Sequence, residues 1–477
     1  MGDEPLSDDV KDRLADRRKQ KTATSGTLIV SDEKAYVDDT ITIRGLNLPE
    51  NAEIDVFWQT VEGQWGVLRG NEVNGAQYRP RTVHALTVHT DDQGKFSKEW
   101  TIPEDYGGEH TLEAQRNGEE TLAKATVTIR PWFELEETEV PLGGFFNLKG
   151  YGIGPNVVEN NYQVTWDNGM VGFITGVKNY GTATARVRAV GPIGQHQIQV
   201  WRNYRGVPFL QNNTQSPFGE VAAGRQYAWD VQVTEPENEP DDIWVEDLFE
   251  EGPLPVHIPD PEVETEATLE IAPQSGQPGT DAVITGRNFP ATAEVELVWH
   301  SHSGHRVKDI PIRPEPLPEV LPTVETDEKG FFQVDVTIPQ DKGSTRPIAA
   351  KIDGESHATT GFMMQAAIND VTPVKAKRGE DIEIELGGIG WPTYENAYYF
   401  LYDNKPLGYV CGLEARTAKT VLKAAGEPGY HFIDVYPSFF DVEDDEPDYE
   451  LKPHLSYIDN HPVRPLPGLH MAIEITE

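Results

Sequence analysis

The chain has 477 residues, and its 79 acidic against 40 basic side chains give a net charge of −39; because binding phosphates requires a cationic face, this argues against nucleic acid as a partner and disfavours anionic membrane surfaces. A single cysteine, Cys411, excludes an intramolecular disulfide framework and a cysteine zinc finger. No apolar run reaches the ~18 residues of a membrane span, and residues 1–6 carry neither a basic nor an apolar signal region, so the expectation is a protein that works inside a cell or leaves it within a particle.

Residues 7–21 read as a helix, with Ser7 as N-cap, Asp8 and Asp9 at the positive end of the dipole and Arg17, Arg18, Lys19 and Lys21 at the negative end. The apolar stripe of Val10, Leu14 and Ala15 is narrow, which fits a solvated tail or a segment that orders on a partner.

From Thr27 the period changes to two. Leu28 and Val30, Ile41 and Ile43, and Ile54, Val56 and Trp58 alternate with polar residues and are broken at Asp38-Asp39 and Leu48-Pro49-Glu50-Asn51, as half-buried antiparallel strands and their turns do. The pattern returns later in the chain. Gly45 and Pro49 recur as Gly286 and Pro290, Trp58 as Trp299, the turn from Asp91 to Gly94 as Asp327 to Gly330, and Thr101-Ile102-Pro103 as Thr337-Ile338-Pro339.

A second duplicated stretch follows. Glu159, Asn160, Tyr162, Asp167, Asn168, Gly172 and Gly176 recur as Glu395, Asn396, Tyr398, Asp403, Asn404, Gly408 and Gly412, at a constant spacing of 236 (403 − 167). Gly152-Ile153-Gly154 recurs as Gly388-Ile389-Gly390, and His196 as His431. Self-similarity at a fixed period means repeated structural units. The expected fold class is therefore all-β: a two-module unit, internally duplicated, behind a short helix. The boundaries are 1–26 for the helix and joint, 27–130 for module A, 131–235 for module B, 236–266 for an acidic, Pro-rich linker, 267–366 for module A′ and 367–477 for module B′. Within the linker, Ile243-Trp244-Val245 and Leu248-Phe249 predict that part of it packs on a neighbouring surface.

In the first module of each half, the order of a strand, a Gly-x-Asn-x-Pro turn, a strand ending in Trp, a variable hairpin, an Asp-x-x-Gly-x-Phe turn and a Thr-Ile-Pro strand end resembles the immunoglobulin-like and IPT/TIG-like repeats of bacterial and archaeal surface proteins and of phage virion proteins. The resemblance covers about 100 residues of each half and implies β-sandwich modules, which host many unrelated tasks.

The chemistry-bearing candidates each have a structural alternative. His300, His302 and His305 lie within six residues, and His300 and His302 share a strand face, which is a zinc-like pattern; the first half has Gln59-Thr60-Val61 there, so a polar hairpin tip explains them as well and no metal is assigned. Asp167-Asn168 and Asp403-Asn404 are read as hairpin turns whose side chains satisfy backbone amides, with a calcium or catalytic carboxylate as the alternative. The Asp91 and Asp327 turns carry the same alternative of calcium. His196 and His431 lack a recurrent Ser or Cys nucleophile and are assigned hydrogen-bonding roles. Cys411 stands where the first half has Thr175, so it is read as a small strand residue. The Gly-Ile-Gly pair is a turn or bulge signal, because no helix follows it. Trp58, Trp166 and Trp299 are expected in cores, whereas Trp65, Trp132, Trp391 and Tyr394 are available for carbohydrate stacking.

These readings point to a non-enzymatic structural or adhesive protein without cofactors, whose partners are other structural proteins of a particle or cell surface. The expected location is a virion, as a tail or capsid-associated component of a phage or archaeal virus. The alternatives are a secreted or cell-surface adhesin or carbohydrate-binding protein, and a glycan-active enzyme with accessory domains.

Overall fold

In the computed structural model the chain is described over residues 26–477, apart from 69–71, 119, 156–160, 205–206, 209, 211–224, 241–242, 249–257, 306–312, 390–396, 413–414, 439–451 and 463–465. The N-terminal helix read at 7–21, Phe249, Trp391 and Tyr394 lie outside the described residues.

Module A is built from β1 (Thr27–Val30), β2 (Lys34–Ala35), β3 (Thr40–Leu46), β4 (Glu53–Leu68), β5 (Glu72–His89), β6 (Phe96–Thr101), β7 (Gly108–Arg116) and β8 (Glu120–Ile129). One sheet runs β1-β3-β6 and faces a second, β2-β8-β7-β4-β5. All pairs are antiparallel except β2 on β8, so the first strand starts in one sheet and crosses to the other. The alternation that predicted the strands is the alternation of burial: Ile41, Ile43, Ile54, Val56 and Trp58 are all at most 1% exposed.

Module B repeats this order with β9 (Trp132–Leu135), β10 (Glu139–Pro141), β11 (Phe145–Tyr151), β12 (Asn161–Trp166), β13 (Gly169–Thr175), β14 (Ala183–Arg188), β15 (Gly194–Tyr204), β16 (Val207–Pro208) and β17 (Arg225–Thr234). Its sheets are β9-β11-β14 and β10-β17-β15-β12-β13. After a linker strand, β18 (Ile243–Val245), module A′ contains β19 (Thr268–Ala272), β20 (Ser275–Gly276), β21 (Asp281–Arg287), β22 (Glu294–His305), β23 (Arg313–Glu325), β24 (Phe332–Thr337), β25 (Ser344–Ile352) and β26 (Glu355–Met364). Module B′ contains β27 (Ala367–Thr372), β28 (Lys375–Lys377), β29 (Asp381–Gly387), β30 (Ala397–Tyr402), β31 (Lys405–Val410), β32 (Ala418–Lys423), β33 (Gly429–Ser438), one helical turn (Tyr457–Asn460) and β34 (Leu469–Thr476). Their sheets follow the same order again. Thus all four modules, including the pair that matched no known pattern in sequence, share one immunoglobulin-like arrangement of a three-stranded sheet on a larger one.

The modules differ in where extra chain is inserted. In A and A′ it lengthens the β4–β5 and β22–β23 hairpins; in B and B′ it lies before the last strand. Gly152-Ile153-Gly154 is more than a turn, because it is the A–B joint. Gly107 N donates to Ile153 O at 3.2 Å, and a Cβ at Gly107 would lie 2.0 Å from Gly152 O. The second half repeats the contact, with a Cβ at Gly343 falling 2.5 Å from Gly388 O. Two backbones meet there, and only glycine fits between them.

The linker does not hold the halves apart. Strand β18 pairs antiparallel with β34 and so extends the larger sheet of B′, while Glu262 further on accepts from Ser356 N at 2.8 Å. The hydrophobic core of B is continuous with Leu401, Phe432, Tyr436, Leu455, Tyr457 and Ala472 of B′. The outer face of the larger B′ sheet therefore packs on module B, and the array is folded back on itself.

Candidate functional site

Among the described residues, three sets of buried or half-buried polar groups carry titratable chemistry in their own networks, and two of them are duplicated. In each A-type module a buried aspartate follows the Thr-Ile-Pro strand end. Asp105 accepts from Trp58 Nε1 and Thr60 Oγ1, both at 2.6 Å, and from Tyr106 N at 2.8 Å. Asp341 accepts from Trp299 Nε1 at 2.8 Å, Ser301 Oγ at 2.7 Å and Lys342 N at 2.8 Å. The same neighbouring position holds His110 in one half and Arg346 in the other, 4.0 and 3.7 Å from the carboxylate. This pair of aspartates was missed in the sequence, although their 236-residue spacing (341 − 105) carried the signal.

In each B-type module the Asp-Asn pair forms a two-residue hairpin loop. Asp167 and Asn168, like Asp403 and Asn404, have positive φ (48°, 66°, 47° and 60°), as a type I′ turn requires. The structure brings the repeated histidines onto these same aspartates: His196 Nδ1 lies 2.6 Å from Asp167 Oδ2, and His431 Nδ1 lies 2.6 Å from Asp403 Oδ2. The other carboxylate oxygens accept from Gln197 N and Phe432 N. An aspartate orienting an imidazole is half of a catalytic triad, but the far ring nitrogens face backbone carbonyls, Pro192 O at 2.7 Å and Glu427 O at 2.8 Å. Burial disfavours the charged form of His431, yet the Asp403 carboxylate and the Glu427 carbonyl outweigh it and raise its pKa above the ordinary histidine value. A ring held between two acceptors pins the hairpin to the next strand and has no nitrogen left over for proton transfer.

The third set is not duplicated and lies in the seam between B and B′. Arg188 and Asp434 are fully buried, with Arg188 Nε donating to Asp434 Oδ1 at 2.9 Å and Nη1 to Gly143 O at 2.8 Å. His470 Nδ1 is 2.7 Å from Asp434 and its Nε2 3.3 Å from Glu246 of the linker, which also accepts from Arg186 at 2.8 Å, Gly468 N at 2.9 Å and the Tyr457 hydroxyl. Burial pushes the Asp434 carboxyl up, but Arg188 and His470 more than offset this and hold it below the usual range. Asn404 departs from its counterpart Asn168 here: it is buried, and its Nδ2 donates to Arg188 O at 2.8 Å. The chain after β33 completes the clamp, since Asn460 O accepts from Trp65 Nε1 of module A at 2.7 Å and Asn460 Oδ1 from Lys178 N at 2.8 Å.

The remaining candidates are placed as follows. His300 and His302 lie on β22; burial, with Lys351 adding to it, lowers the first, and burial, with the Arg346 charge adding to it, takes the second down to about 4. Neighbouring cations oppose a metal ion there, and His305 closes the described part of the same strand. The Asp91 and Asp327 turns engage one carboxylate oxygen each with two amides, Gln93 and Lys95 N at 2.9 and 2.8 Å, and Lys329 and Phe331 N at 2.7 and 2.9 Å. Among the described residues no cluster of three His, Cys, Asp or Glu is arranged to hold a metal, and no helix is long and apolar enough to cross a membrane. Cys411 is half-buried beyond β31. Trp58, Trp166 and Trp299 are core residues at 1%, 6% and 0% exposure, Trp65 is buried against Asn460, and Trp132 stacks on Tyr151 at 4.5 Å. A crevice of about 160 Å³ lies beside the A–B joint, lined by Gly107, Gly152, Arg130 and Arg202 among others.

No protein-family model matches the chain, and no curated protein does. Among solved structures, it is similar to Salmonella α2-macroglobulin reacted with methylamine (9% identity, TM-score 0.19, covering 95% of this chain and 31% of that one). It is also similar to the ICAM-5 D1–D4 ectodomain fragment (12%, 0.16, 90% and 99%) and to the central fibronectin-III array of RIM-binding protein (12%, 0.16, 71% and 98%). The chain spans about a third of the α2-macroglobulin chain it matches.

Proposed function

We propose that this protein is a non-enzymatic structural or binding component of a larger assembly, a rigid scaffold of four immunoglobulin-like modules akin to the IPT/TIG-like repeats, placed in a virion as a tail or capsid-associated protein of a phage or archaeal virus. The observation that carries the non-enzymatic reading is how the recurrent polar residues are used. Asp105 and Asp341, and the Asp167–His196 and Asp403–His431 pairs, are each committed to tryptophan, hydroxyl and backbone groups of their own module. Duplicated residues with duplicated structural bonds are what a scaffold retains through duplication, whereas a catalytic set needs an unsaturated nucleophile or base.

Fractionation of the producing culture into cytoplasm, envelope, medium and sedimentable particles, each quantified by mass spectrometry, tests the location. Constant stoichiometry to a capsid or tail protein in the particles supports the virion; enrichment in envelope or medium, with particles lacking it, overturns that placement in favour of an adhesin or carbohydrate-binding protein.

A further inference from the structure

The duplication supplies two copies of one sheet edge, and among the described residues only the copy on β13 receives a second hydrogen-bonded segment. In module B the outer edge of β13 receives a strand-like segment of B′. Phe173 N donates to Pro453 O at 3.0 Å, Leu455 N donates to Phe173 O at 2.8 Å, and the bridge between Phe173 and His454 is parallel. The His454 ring stacks on Phe173 with centroids 4.8 Å apart and planes 8° from parallel. Close approach demands glycine at position 172, where a Cβ would lie 2.5 Å from Pro453 O. Val171 and Phe173 are 1% and 0% exposed beneath the added segment.

The counterpart in B′ is β31, whose Gly408 matches Gly172 and whose Tyr409 stands opposite Tyr399 as Phe173 stands opposite Gln163. Matching register aims the Tyr409 N–H and C=O outward, as those of Phe173 are. Yet a Cβ at Gly408 would meet nothing within 4 Å, and Leu407 and Tyr409 are 55% and 42% exposed. Among the described residues β31 is hydrogen-bonded only to β30, although β13 of module B comes close to it without pairing. The edge of β23 shows how this protein blunts a strand elsewhere: Pro314, Pro316 and Pro318 stand at alternate positions and remove the outward donors. Residues 407–410 carry no such block.

We propose that the β31 edge is a docking site for an extended segment of a partner protein, which adds in parallel to β31 as residues 453–456 add to β13, with a ring side chain over Tyr409 and an apolar one over Gly408, as His454 lies over Phe173 and Leu455 over Gly172. The occupied copy defines the ring and apolar positions of the occupant, and a net charge of −39 favours a segment that carries basic residues. The proposal goes beyond the scaffold reading and holds wherever the protein resides.

The test uses the full chain and a peptide of residues 452–457, Lys-Pro-His-Leu-Ser-Tyr, as the probe, with hydrogen exchange read by mass spectrometry over β31. Saturable protection of Tyr409, about tenfold or more, is expected, and a spin label on the peptide N-terminus should broaden signals at the Lys405 end, as parallel addition requires. Gly408→Val, which places a side chain where the incoming carbonyl must sit, should abolish the protection while leaving the melting temperature and circular dichroism unchanged. Absence of saturable protection, equal protection in Gly408→Val, or an edge already protected in a concentration-dependent dimer would each overturn the proposal, the last by making a second copy the occupant.

Discussion

Asp341 sits at 0% exposure with three hydrogen-bond donors and Arg346 beside it. Asp341→Ala leaves a buried guanidinium without its carboxylate and the Trp299 indole without an acceptor, so a loss of about 3–5 kcal/mol is expected in urea unfolding. His431 yields a prediction in pH. Its folded pKa is raised above the model-compound value of 6.5, so the stabilisation by Asp403 is fully present below that value and is lost as pH rises through the folded pKa. His431→Gln should therefore cost most at about pH 5.5 and least at about pH 9, as measured by denaturation midpoints at each pH. Backbone conformation makes a third residue exacting. Gly330 has φ of +72°, and a Cβ there would lie 1.9 Å from Phe289 O, so Gly330→Ala should destabilise module A′ by about 1–3 kcal/mol.

Among elements, the hairpin of β22 and β23 is the longest in A′, and its edge is exposed at Leu317 and Val320. Alternating prolines keep that apolar edge from pairing. Pro316→Thr with Pro318→Thr restores two outward N–H groups, and concentration-dependent self-association by light scattering is the expected outcome, with wild type staying at constant mass. The turns between elements were well marked in the sequence, because a type I′ loop needs residues that tolerate positive φ and Asp-Asn supplies them. The partners of those turns were less visible. His196 and His431 were recognised as repeated, but nothing in a linear pattern joins a histidine to an aspartate 29 or 28 residues earlier; the antiparallel registers of β12 with β15 and of β30 with β33 do.

At the level of the whole molecule, the seam between B and B′ sets how the halves stand to each other. It joins unlike surfaces: the outer face of the larger B′ sheet against the smaller-sheet side of B, with the Arg188 guanidinium over the Phe145 ring and His470 meeting that ring edge-on. Removal of one member of the network is costly because the others stay buried. Asp434→Ala is expected to separate one cooperative B–B′ transition in differential scanning calorimetry into two, whereas an exposed substitution such as Lys423→Ala leaves it single. Sequence comparison of the halves could not reveal this network. Gln199 stands opposite Asp434 in the repeat and Ala228 opposite His470, so the network residues looked like ordinary divergence between copies.

The amino-acid sequence by itself determined the strands, their turns, the duplication and the module type of A and A′, since period-two alternation and positive-φ turn residues are local consequences of side-chain chemistry. Tertiary structure alone decided that residues 243–245 of the linker become a strand, that B′ lies on B, and that, among the described residues, one of two equivalent edges receives a second hydrogen-bonded segment. An alternating pattern records that a face is buried but not against what, and a repeated residue such as Gly172 or Gly408 keeps its identity whether or not a second backbone passes over it.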